Sequence, residues 1–318
     1  MSRTRDIIQE IAEVRQRRRF GSAMSELPMR LFALEHAFEE HDRSQSELTR
    51  YFPVALIACV EGYFRMAIKD LVDAGDPYLS NAERPASSLK LDFSILRAVH
   101  GKAITVGELV AHGMPLSRLD HIESAITSLL GTGFLQALRT TTDRWAHEVR
   151  GEPAGPILAD PDQVFSDLAR TFELRHIICH EIASAYEIEA DEVARCFQSC
   201  VAFLRASDEF ISETLHPGAP LTQTDMNIAA EKSLAKARDR LDEAAENVRR
   251  RLDASELAAF NESQNKWQAY SDAWVAFVAG ERATGGTIWP LIAAGAAEAT
   301  VNRRIEEVSG WKRLGDAD

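Results

Sequence analysis

The feature that most constrains this chain is a stripe of apolar residues. Between Ser46 and Ala74, residues Ile57, Val60, Phe64, Ile68 and Leu71 recur at three- and four-residue spacing. That period puts them on one side of a helix and predicts a single long helix with a buried face over 46–74. Ser46 or Thr49 can cap it, Pro53 suggests that its regular part starts nearby, and Gly75 and Pro77 end it. The same period recurs elsewhere. Ile7, Ile8, Ile11 and Val14 predict an amphipathic helix over 3–19, and Leu31, Leu34 and Phe38 a second over 27–42. Residues 80–115 are less regular, broken by Ser87-Ser88, Gly101 and Gly113-Met114-Pro115, with short helices at 92–100, 106–111, 116–130 and 133–138. A loop covers 150–160. Asp160-Pro161 then supplies an N-cap acceptor followed by proline at the first helical position. Another helix fits 189–214. Beyond the linker His216-Pro217-Gly218-Ala219-Pro220, helices fit 224–252, 254–279 and Pro290 to about 311, with a turn at Gly280, Gly285 and Gly286. No segment reads as a strand. The expectation is an all-α chain of two domains, 1–217 and 218–318.

Composition narrows the class. Hydrophobic residues make up 45% and charged residues 27% of the chain, enough apolar material for a real core. The N-terminus has no apolar leader-like segment, and the longest apolar run, Pro53 to Val60, stops at Glu61. A cytoplasmic protein with no membrane association is expected. Cys59, Cys179, Cys196 and Cys200 all fall in helical stretches and read as buried free thiols of a reducing compartment. Net charge is −13, with 23 basic and 33 acidic residues up to Pro217 and 13 and 16 beyond it. That balance argues against extended DNA binding. The one basic cluster, Arg15, Arg17, Arg18 and Arg19, reads equally as a solvated helix end or an RNA contact.

The segment Arg175-His176-Ile177-Ile178-Cys179-His180 carries the chemistry. RNA is cleaved when its own 2′-hydroxyl attacks the adjacent phosphate. This needs a base, an acid and a cation to offset phosphorane charge. Histidine titrates near neutral pH and serves either proton role. Arginine stays charged and binds phosphate oxygens bidentately. His180 is therefore the candidate general acid or base, Arg175 the phosphate clamp, and His176 an orienting or assisting group. Five residues amount to roughly 140° around a helix, so Arg175 and His180 diverge unless the helix bends or ends between them. A two-fold dimer would bring two copies together. A competing zinc reading pairs His176 and His180 with Cys196 and Cys200, each pair four residues apart. Glu61 lies in the apolar stripe of its helix and either pairs with Arg175 or marks the exposed edge.

These residues give the first 215 positions a resemblance to HEPN domains, whose motif is an arginine, a short spacer opening with a polar residue, and a histidine. Arg175, the polar His176 and His180 fit it, and Glu181 follows. Tyr51 through Arg65 looks like the family's first core helix, and Gly107-Glu108-Leu109-Val110-Ala111-His112 is similar to the middle region of some members. The resemblance implies a helical bundle that dimerises and cuts RNA without cofactor or metal. It makes Arg175, His176 and His180 catalytic and Glu61 and Glu181 supporting. Some relatives only bind.

The last hundred residues resemble the N-terminal domain of LprI-type lysozyme inhibitors. The match runs through Gln223-Thr224-Asp225-Met226-Asn227, Leu241 and Leu252. It continues through Gln264, Trp267, Tyr270, Asp272 and Phe277, then Gly285-Gly286-Thr287, Pro290-Leu291 and Ala299 through Arg304. That family is usually exported and disulfide-bonded. Here Ala229, Val275 and Gly295 stand where the resemblance would put cysteines. Losing a disulfide costs about 2–5 kcal/mol, which packing must offset. The two resemblances together lead us to expect an RNA-cleaving toxin or antiviral effector acting on an RNA substrate as a homodimer. Its C-terminal module would bind an antitoxin or a protein trigger. The alternatives are a non-catalytic HEPN-fold scaffold, or an enzyme-inhibitor module carried on a helical oligomerisation domain.

Overall fold

The computed structural model describes residues 3–19, 21–89, 92–181, 185–280 and 287–311. The fold is all-α. Two compact units divide it, Met1–Gly218 and Ala219–Asp318.

The first unit contains α1 (Arg3–Gln16), α2 (Ala23–Glu40), α3 (Ser46–Asp73), α4 (Tyr78–Asn81), α5 (Phe93–His100), α6 (Val106–Gly113), α7 (Leu119–Leu130), α8 (Phe134–Leu138), α9 (Pro161–His180) and α10 (Ala190–Leu215). The second contains α11 (Gln223–Arg249), α12 (Ala254–Ala279) and α13 (Trp289–Ser309). Among the described residues there is no strand, only an isolated bridge between Thr142 and Pro156. The turn expected at Gly285 and Gly286 lies outside the described residues.

Helix α3 organises the first unit. Its whole predicted stripe is at most 1% exposed, and α2, α6, α7, α9 and α10 pack around it. A helix with so wide an apolar face belongs inside a core with that face covered. This also explains why α3, unlike the reading above, is long and apolar enough to cross a membrane by length and composition, while 61% of its most apolar window is buried in the protein. Phe64, Phe134 and Phe203 form the centre, with ring centroids 5.7 Å from Phe64 to each of the other two. Such edge and tilted pairs add to the burial of large apolar area.

Two expectations for α3 fail. Helix geometry begins at Ser46, before Pro53, and the N-cap is Gln45 with no side-chain cap. Thr49 is buried, and its hydroxyl donates to the Gln45 carbonyl at 3.4 Å rather than capping. Pro53 removes one backbone donor, in the helix's second turn, and its ring is buried in the unit.

Helix α6 sits unusually close to α3. A Cβ at Gly107 would come 2.4 Å from the Lys69 carbonyl, and the Gly107 N–H donates to Asp73 Oδ1 at 2.9 Å. Only glycine allows that approach. Thr105 and Glu108 form a capping box at the start of α6.

In the second unit, α11 and α12 each pack along α13. The core is small and aliphatic: Ala237, Leu241, Val248, Val301 and Val308. Ser271 and Thr300 bury their hydroxyls against each other at 2.9 Å, satisfying two groups that would otherwise be costly to bury.

Candidate functional site

Helix α9 carries the motif, and its start is set as the sequence indicates. Asp160 accepts from the Gln163 N–H at 3.1 Å, and Pro161 occupies the first turn. Leu168, Phe172 and Leu174 are buried against the bundle. Arg170 ties α9 to α10, donating to Glu192 at 2.8 Å and also bonding the Tyr186 hydroxyl and Glu173. These partners hold the Arg170 guanidinium above its ordinary range, the Glu192 bond foremost. A buried Asp167 accepts from Ser199 of α10 at 2.8 Å. The helix is thus tied to its neighbours along its first four turns, and its last turn leaves His176, Cys179 and His180 exposed.

The motif residues gather on that last turn. Arg175 Nη1 donates to His180 Nε2 at 3.4 Å. A guanidinium has no acceptor, so this contact needs a lone pair on Nε2 and places the imidazole proton on Nδ1. The rings of His176 and His180 lie 5.1 Å apart, tilted by 46°. Glu181 follows at the C-cap, with Oε1 4.0 Å from His176 Nε2. The expected divergence of Arg175 from His180 does not occur. The helix is regular through His180, but it ends there, and the long arginine side chain spans the angular gap.

Arg175 and His176 also form one wall of an open groove of about 750 Å³. Its opposite wall is the start of α7, where Arg118 holds Asp120 through two bonds of 2.8 Å. Glu123 lines it as well. Sequence reading missed Arg118, Asp120 and Glu123. Their only signal is charge, and more than fifty residues separate them from the motif.

Other expected participants lie elsewhere. Glu61 is half-buried on α3 and makes no ion pair with Arg175. Cys59, Cys196 and Cys200 are buried as expected, but Cys179 is exposed on the last turn of α9. Burial pushes the Cys200 thiol up to about 12 and the Cys59 thiol up to about 11. Cys200 donates to Thr171 Oγ1 in the core, away from the exposed histidines. Among the described residues, no group of three or more His, Cys, Asp or Glu is arranged to hold a metal. The basic cluster near the end of α1 is partly spent: Arg15 makes two bonds to the buried Glu108, one of 2.8 Å, and Arg17 contacts Glu13 at 3.3 Å.

The second unit offers a different kind of surface. Tyr270, Trp274 and Phe277 follow one another on α12 at four- and three-residue spacing and are 55%, 39% and 76% exposed. Two polar ties run elsewhere, to the segment just before α13 and to α13 itself. Asn227 Nδ2 donates to the Thr287 carbonyl at 3.0 Å, and Arg304 Nε to Gln264 Oε1 at 2.7 Å.

Residues 217–308 match the family model described as Lysozyme inhibitor LprI. The LprI match covers the C-terminal part of the chain and stops short of the motif on α9. Several of the residues that suggested the resemblance have structural contacts: Leu241 is in the core, Trp267 packs partly buried against it, Asn227 bonds Thr287 and Gln264 bonds Arg304. Ala229 and Gly295 are exposed, and Val275 is partly covered. No curated protein and no solved structure matches the chain.

Proposed function

We propose that the first unit is a metal-independent endoribonuclease of the toxin or antiviral-defence kind, using no cofactor, and that the LprI-matched unit regulates it by binding an antitoxin or a protein trigger. The supporting observation is the convergence of Arg175, His176 and His180 on one exposed helix end beside an open groove. When an RNA phosphate enters, the Arg175 guanidinium turns from His180 to the phosphate oxygens, a stronger, charge-assisted partner. Nε2 of His180 is then free to take the 2′-hydroxyl proton. Glu181 steadies His176, and the role for Glu61 is confined to the α3 face on which it sits.

In-line displacement puts the attacking and leaving oxygens on opposite sides of phosphorus. His176 and His180 lie side by side and serve one end of that line. The acid at the other end comes from a second copy, so the working form is a homodimer through the first unit, acting in the cytoplasm. Expression in a bacterial host tests this. Wild type is expected to degrade RNA and arrest growth, and Arg175→Ala and His180→Ala to accumulate as folded protein without either effect. Equal RNA loss from variants and wild type removes the proposal.

The LprI match over 217–308 favours a second reading, in which that unit binds a lytic enzyme and the helical bundle serves to oligomerise it. In that case a lysozyme is inhibited by the full chain whether or not Arg175 and His180 are intact.

A further inference from the structure

A cavity of about 430 Å³ lies in the first unit between the end of α1, the start of α2 and the middle of α3. Its floor is apolar, with Val14, Leu27, Cys59 and Met66 among the lining residues. Val14 was expected on the buried face of α1 but is 39% exposed, because it borders this space. Four arginines stand around it, Arg17, Arg18, Arg30 and Arg65, with one carboxylate, Glu26. Three of them, Arg17, Arg18 and Arg65, also border an adjoining space of about 320 Å³ on the α6 side.

Around the cavity itself the cations outnumber the carboxylates by four to one. Arg18, Arg30 and Arg65 form no ion pair among the described residues. Arg65 spends Nη1 on the Ala111 and His112 carbonyls, at 3.0 and 3.5 Å, which are neutral acceptors. Arg18 is half-buried, and burial holds its guanidinium below the ordinary range even against the pull of Glu108, Glu26 and Asp70. Cys59 and Tyr63 add no negative charge at neutral pH, since burial raises both above it. A desolvated cation without a counterion is unfavourable unless an anion reaches it.

We propose that this cavity binds a monoacyl carboxylate, with the alkyl chain on the floor formed by α2 and α3 and the carboxylate under Arg18, Arg65 and Arg30. The shape of the chemistry selects the ligand class. Val14, Leu27 and Met66 give the floor aliphatic and sulfur atoms, which would leave the polar edges of a nucleobase unpaired. A carboxylate meets guanidinium groups in charge-assisted bonds. The volume falls within the ordinary range of small-molecule sites. This site shares no residue with the groove at α9.

Titration of the full chain by calorimetry with dodecanoate, dodecanol and AMP tests the assignment. Dodecanoate is expected to bind at least ~10-fold more tightly than dodecanol, and AMP not to bind. One charge-assisted bond is worth about 1.5–3 kcal/mol, so Arg18→Ala should weaken dodecanoate at least ~10-fold, and Arg30→Ala, at an exposed position, by less. Met66→Trp should block it by filling the floor. Arg84→Ala, an exposed arginine outside the cavity, should leave it unchanged. Circular dichroism checks that each variant is folded. Four results each overturn the proposal: no dodecanoate binding by the folded chain, equal binding of dodecanol, tighter binding of AMP, or equal weakening by Arg84→Ala.

Discussion

The two units differ in how their aromatic residues are grouped. In the first, Phe64, Phe134 and Phe203 are fully buried and hold the bundle from its centre. In the second, the buried residues are mostly alanine, valine and leucine, while Tyr270, Trp274 and Phe277 face outward on α12. Burying aromatics provides large stabilising area, so a unit that leaves three of them exposed on one helix face is spending that area on something other than its own fold. The first unit keeps a buried aromatic centre and exposes Phe32, Tyr51 and Phe93 singly, on α2, α3 and α5, whereas the three exposed aromatics of α12 share one face. That division fits a nuclease coupled to a sensor.

Substitutions sharpen the contrast. Phe64→Ala should destabilise the chain most, by about 3–5 kcal/mol, through lost burial and the cavity left behind. Phe277→Ala, on the exposed face, should stay within ~0.5 kcal/mol. Urea unfolding followed by circular dichroism measures both. Comparable losses would break the comparison.

A smaller effect than the Phe64 loss is expected from pH, and only in the first unit. Burial pushes the Asp208 carboxyl up to about 6. Its Oδ1 and the Tyr63 hydroxyl are buried near each other, and neither has a hydrogen-bond partner of good geometry. A carboxyl whose folded value is raised contributes stability that is fully present below its unfolded value, near 3.8, and lost as pH rises through about 6. Asp208→Asn removes that loss. It should match wild type near pH 4 and exceed it in stability at pH 8. A variant no more stable than wild type at pH 8 would contradict the burial argument.

Much of the frame was legible because it is local. The apolar stripe from Ile57 to Leu71 and the Asp160-Pro161 start each depend on residues within a few turns of one another, and both appear as read. What the sequence could not show depends on distance along the chain. Arg15 looked like part of a basic cluster, but its partner is Glu108, on another helix. Pro53 looked like a helix start, but the chain tolerates it inside the second turn of α3. Cys179 shares the helical pattern of its neighbours yet is exposed, while Ile177 and Ile178 beside it are partly covered. The motif residues themselves were legible. Their convergence was not, since it depends on where α9 ends and how far the Arg175 side chain reaches. The Arg118–Asp120 wall of the groove left no local signal at all.

The nuclease proposal is tested most directly with purified protein and RNA in excess EDTA. Wild type is expected to cut and to leave 2′,3′-cyclic phosphate ends, while His180→Ala loses at least ~100-fold in rate, as removal of a general acid or base does, and Arg175→Ala at least ~100-fold, as removal of a donor to the developing charge does. Intact RNA with wild type, or unchanged cutting by both variants, would contradict the account.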